Sequence, residues 1–120
     1  MKHFAKRADV ARIIGLDKET HPEFLKDEPK LTNIEMNTAE NWEQAVGSFA
    51  PNVVIHTAWQ IREMYGKQDV EWKWNIEGSE KVFRFALSQP YVKQLVHFST
   101  VASYGAFPTN TIDHRFTEDE

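Results

Sequence analysis

Two apolar runs with one long helical stretch between them constrain this fold more than any other feature of the chain. They are Asn52 to Ala58 (NVVIHTA) and Val92 to Phe98 (VKQLVHF). Three β-branched residues in succession make the first run a strand. The continuous segment Leu95 to Phe98 in the second fits a strand covered on both faces of a parallel sheet. Between them the pattern predicts a helix from about Val70 to Ser88. Its apolar positions Val82, Phe85 and Ala86 form one stripe, and Pro90 closes it. Strands joined through a helix of that length run parallel by a right-handed crossover.

The same alternation extends towards the N-terminus. Met1 to Arg7 reads as the last turns of a helix, and Val10 to Leu16 (VARIIGL) as a strand ending at Asp17. Residues 18 to 33 are polar, hold Pro22 and Pro29, and predict a loop with at most one short helical turn. Leu31 to Met36 is a weaker, shorter strand. Asn37 or Thr38 then caps a helix whose residues Trp42, Ala45, Val46 and Phe49 fall at i, i+3, i+4 and i+7, with Pro51 as its stop. From Ala106 onward the chain reads as loop. At 120 residues there is room for one core, so a single α/β domain over residues 1–120 is expected.

Composition excludes several functions. There is no cysteine, which removes disulfides, thiolate metal sites and a cysteine nucleophile, and is compatible with the cytoplasmic location expected here. The net charge of −4 comes with no basic stripe, so nucleic acid is not an expected partner. No apolar run is long enough to cross a membrane, and the basic start MKHFAKRADV lacks the apolar stretch of a secretory signal. The five histidines show no metalloprotease spacing, and no serine sits in a nucleophile elbow.

What remains lies at the carboxyl ends of the strands, where open α/β sheets bind ligands. Ser99 and Thr100 follow the last strand and are read either as turn formers or as a site. Asp17 is an exposed strand-end acid or a ribose ligand. The glycine loop that would precede such an acid by about 20 residues would lie before Met1. The glycines at 15, 47, 66, 78 and 105 match neither phosphate-binding pattern. Trp59, Trp72 and Trp74 are assigned to core packing by default, with a pocket border as the alternative.

Taken in order, VARIIGLD, NVVIHTAW, WNIEGSEKVFRFA and VKQLVHFSTVASYG resemble the extended short-chain dehydrogenase/reductase family, the NAD-dependent epimerase/dehydratase group. The resemblance implies a partial Rossmann-like, doubly wound parallel sheet carrying the equivalents of strands 2 to 5. It implies that Asp17 is the ribose-binding acid, which favours NAD over NADP. Asn37 falls where the family often has an acid near the adenine. His56, Ala58 and Trp59 belong to the segment passing beside the cofactor, with Trp59 a departure from the common alanine. Asn75 and Gly78 match the helix N-x-x-G element. Thr100 corresponds to the catalytic hydroxyl, Ser99 to its neighbour, and Tyr104 to a packing and turn residue.

None of Tyr65, Tyr91 and Tyr104 is followed by lysine four positions later, so the family's proton-transferring pair is absent and this chain alone is expected to be inactive. The resemblance therefore implies a fragment of an NAD-dependent epimerase, dehydratase or reductase. Its parent would act on a small-molecule alcohol or ketone, a nucleotide sugar among the candidates, and homodimerisation of the parent is compatible with this. The alternative is a non-catalytic dinucleotide-binding or interaction protein on the same fold. A flavodoxin-like regulatory domain is disfavoured because Asp17 is the sole acid placed at a strand end. The strand between the equivalents of strands 2 and 4 is missing, so the chain is expected to be marginal or to close one onto the other.

Overall fold

The computed structural model describes residues 1–20, 22–62, 64–100, 111 and 113. In chain order it contains α1 (Lys2–Ala5), β1 (Ile13–Asp17), a 3-10 turn (Glu23–Leu25), β2 (Leu31–Glu35), α2 (Glu43–Gly47) and β3 (Val53–His56). Then follow α3 (Gln68–Trp72), a π-helical turn (Lys73–Glu77), α4 (Gly78–Ser88) and β4 (Gln94–His97). The mixed α/β class and the parallel strands are as expected. Tyr104 and the tail from Ala106 fall outside the described residues, apart from Thr111 and Asp113.

The expected four-stranded sheet is not formed. β1 pairs with β2, from Ile13 opposite Leu31 to Asp17 opposite Glu35, and β3 pairs with β4, from Val53 opposite Gln94 to His56 opposite His97. These are two separate two-stranded sheets, and β1 is not closed onto β3. The doubly wound order places a further strand between the equivalents of β1 and β3. Ladder bonds join only strands about 4.8 Å apart, so without that strand the two inner edges have no common ladder.

One helix layer serves both pairs. Trp42 and Val46 at α2, with Val82 and Phe85 of α4, form the buried cluster. Ile14, Leu16, Ile34 and Met36 from the first pair pack against it, as do Val54, Tyr91 and Val92 from the second. The Trp42 and Phe85 rings meet edge to face at 5.1 Å, and the predicted stripe Val82, Phe85, Ala86 is buried throughout. The opposite face is not covered in the same way. Val53 and Ile55 are 43% and 44% exposed and Phe98 is 65% exposed, so the apolar runs do not mark strands buried on both faces.

Element boundaries shift for local reasons. Val10 to Arg12 lie outside β1 because Arg7 to Val10 form a turn, with the Arg7 guanidinium forked onto Asp9 at 2.9 and 2.6 Å. That contact holds the Asp9 carboxyl at about 2. Pairing begins where the Ile13 N–H donates to Lys30 O at 2.8 Å. α2 starts at Glu43, several residues later than expected, because Asn37 caps a turn instead: its Oδ1 accepts from Ala39 N at 2.9 Å, and Glu40 Oε2 accepts from Asn37 N at 3.0 Å. The long helix ends at Ser88 as predicted and begins at Gln68. The π turn inside it was not signalled by the apolar periodicity.

Candidate functional site

The stretch Trp74 to Gly78, across the π turn and into α4, gathers the loops that follow three strands. Lys18, next to the last residue of β1, places its ammonium 4.3 Å from the centre of the Trp74 ring. Asn75 is buried and clamps the segment after β3 by both halves of its amide: Gln60 N donates to its Oδ1 at 2.7 Å, and its Nδ2 donates to Gln60 O at 3.1 Å. Gly78 admits the loop after β2. A Cβ there would overlap the Thr38 hydroxyl and lie 3.2 Å from Thr38 Cβ and 3.3 Å from Ala39 N. Such π turns insert one residue and are frequent at functional sites, and here the turn carries the buried asparagine.

The loop after β2 is fixed a second time. Lys81 of α4 donates to Glu40 O at 2.9 Å and to Asn41 Oδ1 at 3.1 Å, while Trp42 Nε1 donates to Thr38 O at 2.7 Å. Asn37 directly precedes Thr38, the residue that meets Gly78.

The candidate site residues singled out in the sequence lie as follows. Asp17 ends β1, exposed, with Oδ1 accepting from Glu19 N at 3.0 Å. Ala58 and Trp59 are exposed beyond β3. His56 ends that strand but points inward: it is 3% exposed, and its Nε2 lies 2.9 Å from Ser79 Oγ of α4. Burial, and then the neighbouring His97, lower its basicity below that of a free histidine. Ser99 and Thr100 follow β4 on the surface. Trp59 and Trp72 are not core residues. With Gln68, Glu71, Asn75 and Ile76 they line an open depression of about 430 Å³ beside the Asn75 clamp.

The loops after β1, β2 and β3 thus each contact one helical segment, through Lys18, Thr38 and Gln60, and the depression beside it is bordered by the exposed indoles of Trp59 and Trp72 with the side chains of Gln68, Glu71 and Asn75. Among the described residues there is no cluster of three or more metal-ligating side chains, and no helix is long and apolar enough to cross a membrane. Sequence reasoning missed Lys18, Gln60, Ser79 and His97. Lys18 and Gln60 sit in loops whose partners are set by tertiary packing. Ser79 and His97 carried a signal in hindsight, one residue after the helix glycine and directly opposite His56 in the ladder.

A family model described as the NAD dependent epimerase/dehydratase family matches residues 1–120. No curated protein and no solved structure matches the chain.

Proposed function

We propose that this chain, which belongs to the NAD-dependent epimerase/dehydratase family, supplies the adenosine side and the hydroxyl pair of a nicotinamide dinucleotide site. The observation that carries the reading is the docking of the loops after β1, β2 and β3 onto the single segment Trp74 to Gly78. It draws Asp17, Asn37 and the 57–60 segment around one end of the helix layer.

The donors and acceptors suit such a ligand. Asp17 has Oδ2 left to accept from a ribose hydroxyl, and its charge opposes a 2′-phosphate, which favours NAD over NADP. Asn37, with Oδ1 held by Ala39 N, offers its NH₂ to the adenine. Ala58 lets the backbone run close beside the ligand, and Trp59 flanks it. His56 and Asn75 serve by holding that backbone, because their side chains are bonded inward to Ser79 and Gln60. Thr100, with Ser99 beside it, can hydrogen-bond a substrate oxygen as charge develops on it.

The nicotinamide, when bound, is the hydride acceptor or donor in reversible oxidation of a substrate hydroxyl, a nucleotide sugar being one candidate class. No Tyr-x-x-x-Lys occurs in the 120 residues, so we assign proton transfer to none of them. The second reading is a non-catalytic dinucleotide-binding protein on the same fold.

Amide chemical shifts followed during NAD titration test the site. We expect weak, millimolar-range binding, since no glycine loop is present to cradle the phosphates. The shifts should centre on Asp17, Asn37, Ala58, Trp59 and Thr100, be lost in Asp17→Ala, and be smaller with NADP. Absence of saturable shifts, or shifts centred elsewhere, would overturn the reading. Hydride transfer detected at the bound nicotinamide would decide against the non-catalytic alternative.

A further inference from the structure

We propose that His56 and His97 form a proton-sensitive clasp, which holds the C-terminal ends of β3 and β4 together while both rings are neutral and releases them on acidification. The two residues are direct partners in the parallel ladder. Their rings stack at 5.3 Å with an interplanar angle of 25°. The Phe83 ring stands nearly perpendicular to both, at 5.7 Å from His56 and 5.1 Å from His97. Ser79 Oγ, at 2.9 Å from His56 Nε2, completes the enclosure from α4. One ladder bond lies beyond the pair, from Phe98 N to His56 O at 3.0 Å, and it leads directly into Ser99 and Thr100.

Among the described residues, the surroundings offer a second proton no ion-paired carboxylate. Of the groups facing the pair, Ser79 and Phe83 carry no charge. The ionic side chains of α4 are engaged elsewhere: Arg84 pairs with Glu80, and Lys81 reaches Glu43 and the Glu40–Asn41 backbone and amide. Among the described residues neither ring is ion-paired to a carboxylate. Like charges directly opposite across a ladder repel, and burial further opposes a charge on His56.

The basicity of His56 is lowered in the folded chain, so the unfolded chain binds its proton first. The stabilisation is complete above the unfolded histidine value of about 6.5 and drains away as pH falls from there towards the lowered folded value. Opening should begin at the end of the ladder that the clasp guards.

Histidine ring and amide signals of the intact chain, followed by NMR from about pH 8 to pH 5, test this. His56 should titrate below free histidine, and its midpoint should rise in His97→Phe, which keeps a ring and removes the charge. Hydrogen-exchange protection of the Phe98 amide should fall severalfold more on acidification than that of Lys93, whose N–H bonds Asn52 O at 2.8 Å at the opposite end of the ladder. An unshifted His56, or an equal loss of protection at Phe98 and Lys93, would overturn the proposal. If His97→Phe fails to fold, the Phe98 to Lys93 comparison in the unaltered chain still decides. None of these readouts depends on a dinucleotide.

Discussion

The two halves of the long helix do different work with the same backbone. From Val82 to Ala86 the helix contributes an apolar stripe to a cluster shared with Trp42 and Val46, and what matters there is buried volume. From Trp74 to Gly78 it contributes individual atoms: a ring face for Lys18, both ends of an amide for Gln60, and a missing Cβ for Thr38. Burial tolerates a change of partner if volume is kept. An amide clamp does not. The fold therefore rests on the C-terminal half of the helix and the candidate site on its N-terminal half, and substitutions in the two should fail in different ways.

The largest effect is expected in the C-terminal half. Phe85→Ala removes a ring that packs edge to face on Trp42 and lies 6.4 Å from Tyr91. It should cost about 3 to 5 kcal/mol, which approaches the whole stability of a small domain. Because one cluster anchors both strand pairs, thermal unfolding followed by circular dichroism should show their structure lost together. A Phe85→Ala chain that melts as the parent does would show that the helix layer is not the common support.

The contrast between the halves also explains what could be read in advance. The stripe Val82, Phe85, Ala86 was legible because periodicity is written into consecutive turns. So were the existence and direction of the strands, from β-branched runs separated by a helix. Strand ends were not legible, because a ladder extends only as far as its partner. Val10 and Ala11 suit a strand, yet they follow a turn closed from Val10 N to Arg7 O and reach no partner strand, so pairing starts only at Ile13. The exposure of Ile55 was hidden for the opposite reason: its sequence suits burial, and the described chain provides no layer over that face. The candidate site was legible as residue types at strand ends. Its assembly by Asn75 and Trp74 was not, because the π turn that brings them inward breaks the periodicity used to read the helix.

A smaller and more local loss is expected at Asn75. Asn75→Ala leaves the partly buried Gln60 N–H and C=O without the amide, at about 1 to 3 kcal/mol. Asn75→Asp keeps the acceptor for Gln60 N but sets an oxygen against Gln60 O, so it should be no better than alanine despite its shape. The diagnostic readout is amide protection: residues 57 to 60 should exchange faster while α4 and the Lys93–Asn52 bond stay protected. A uniform loss of protection would place Asn75 with Phe85 as a core residue and remove the distinction between the halves.

The weakest contact sharpens the comparison most, because it has a different physical signature from its neighbour. Lys18→Met keeps an apolar chain over the Trp74 ring and deletes the cation, so it should cost at most about 1 kcal/mol. An exposed cation–π contact is partly a charge interaction and is screened by salt, whereas a neutral amide-to-backbone clamp is not. Raising the ionic strength should therefore loosen the loop after Asp17 in the parent chain, seen as amide shift changes at Lys18 and Glu19. It should leave residues 57 to 60 unmoved and have no further effect on Lys18→Met. If salt moved both loops equally, the segment Trp74 to Gly78 would be acting as one rigid unit rather than as separate contacts. Tuning of the ribose-side loop independently of the segment after β3 would then be lost.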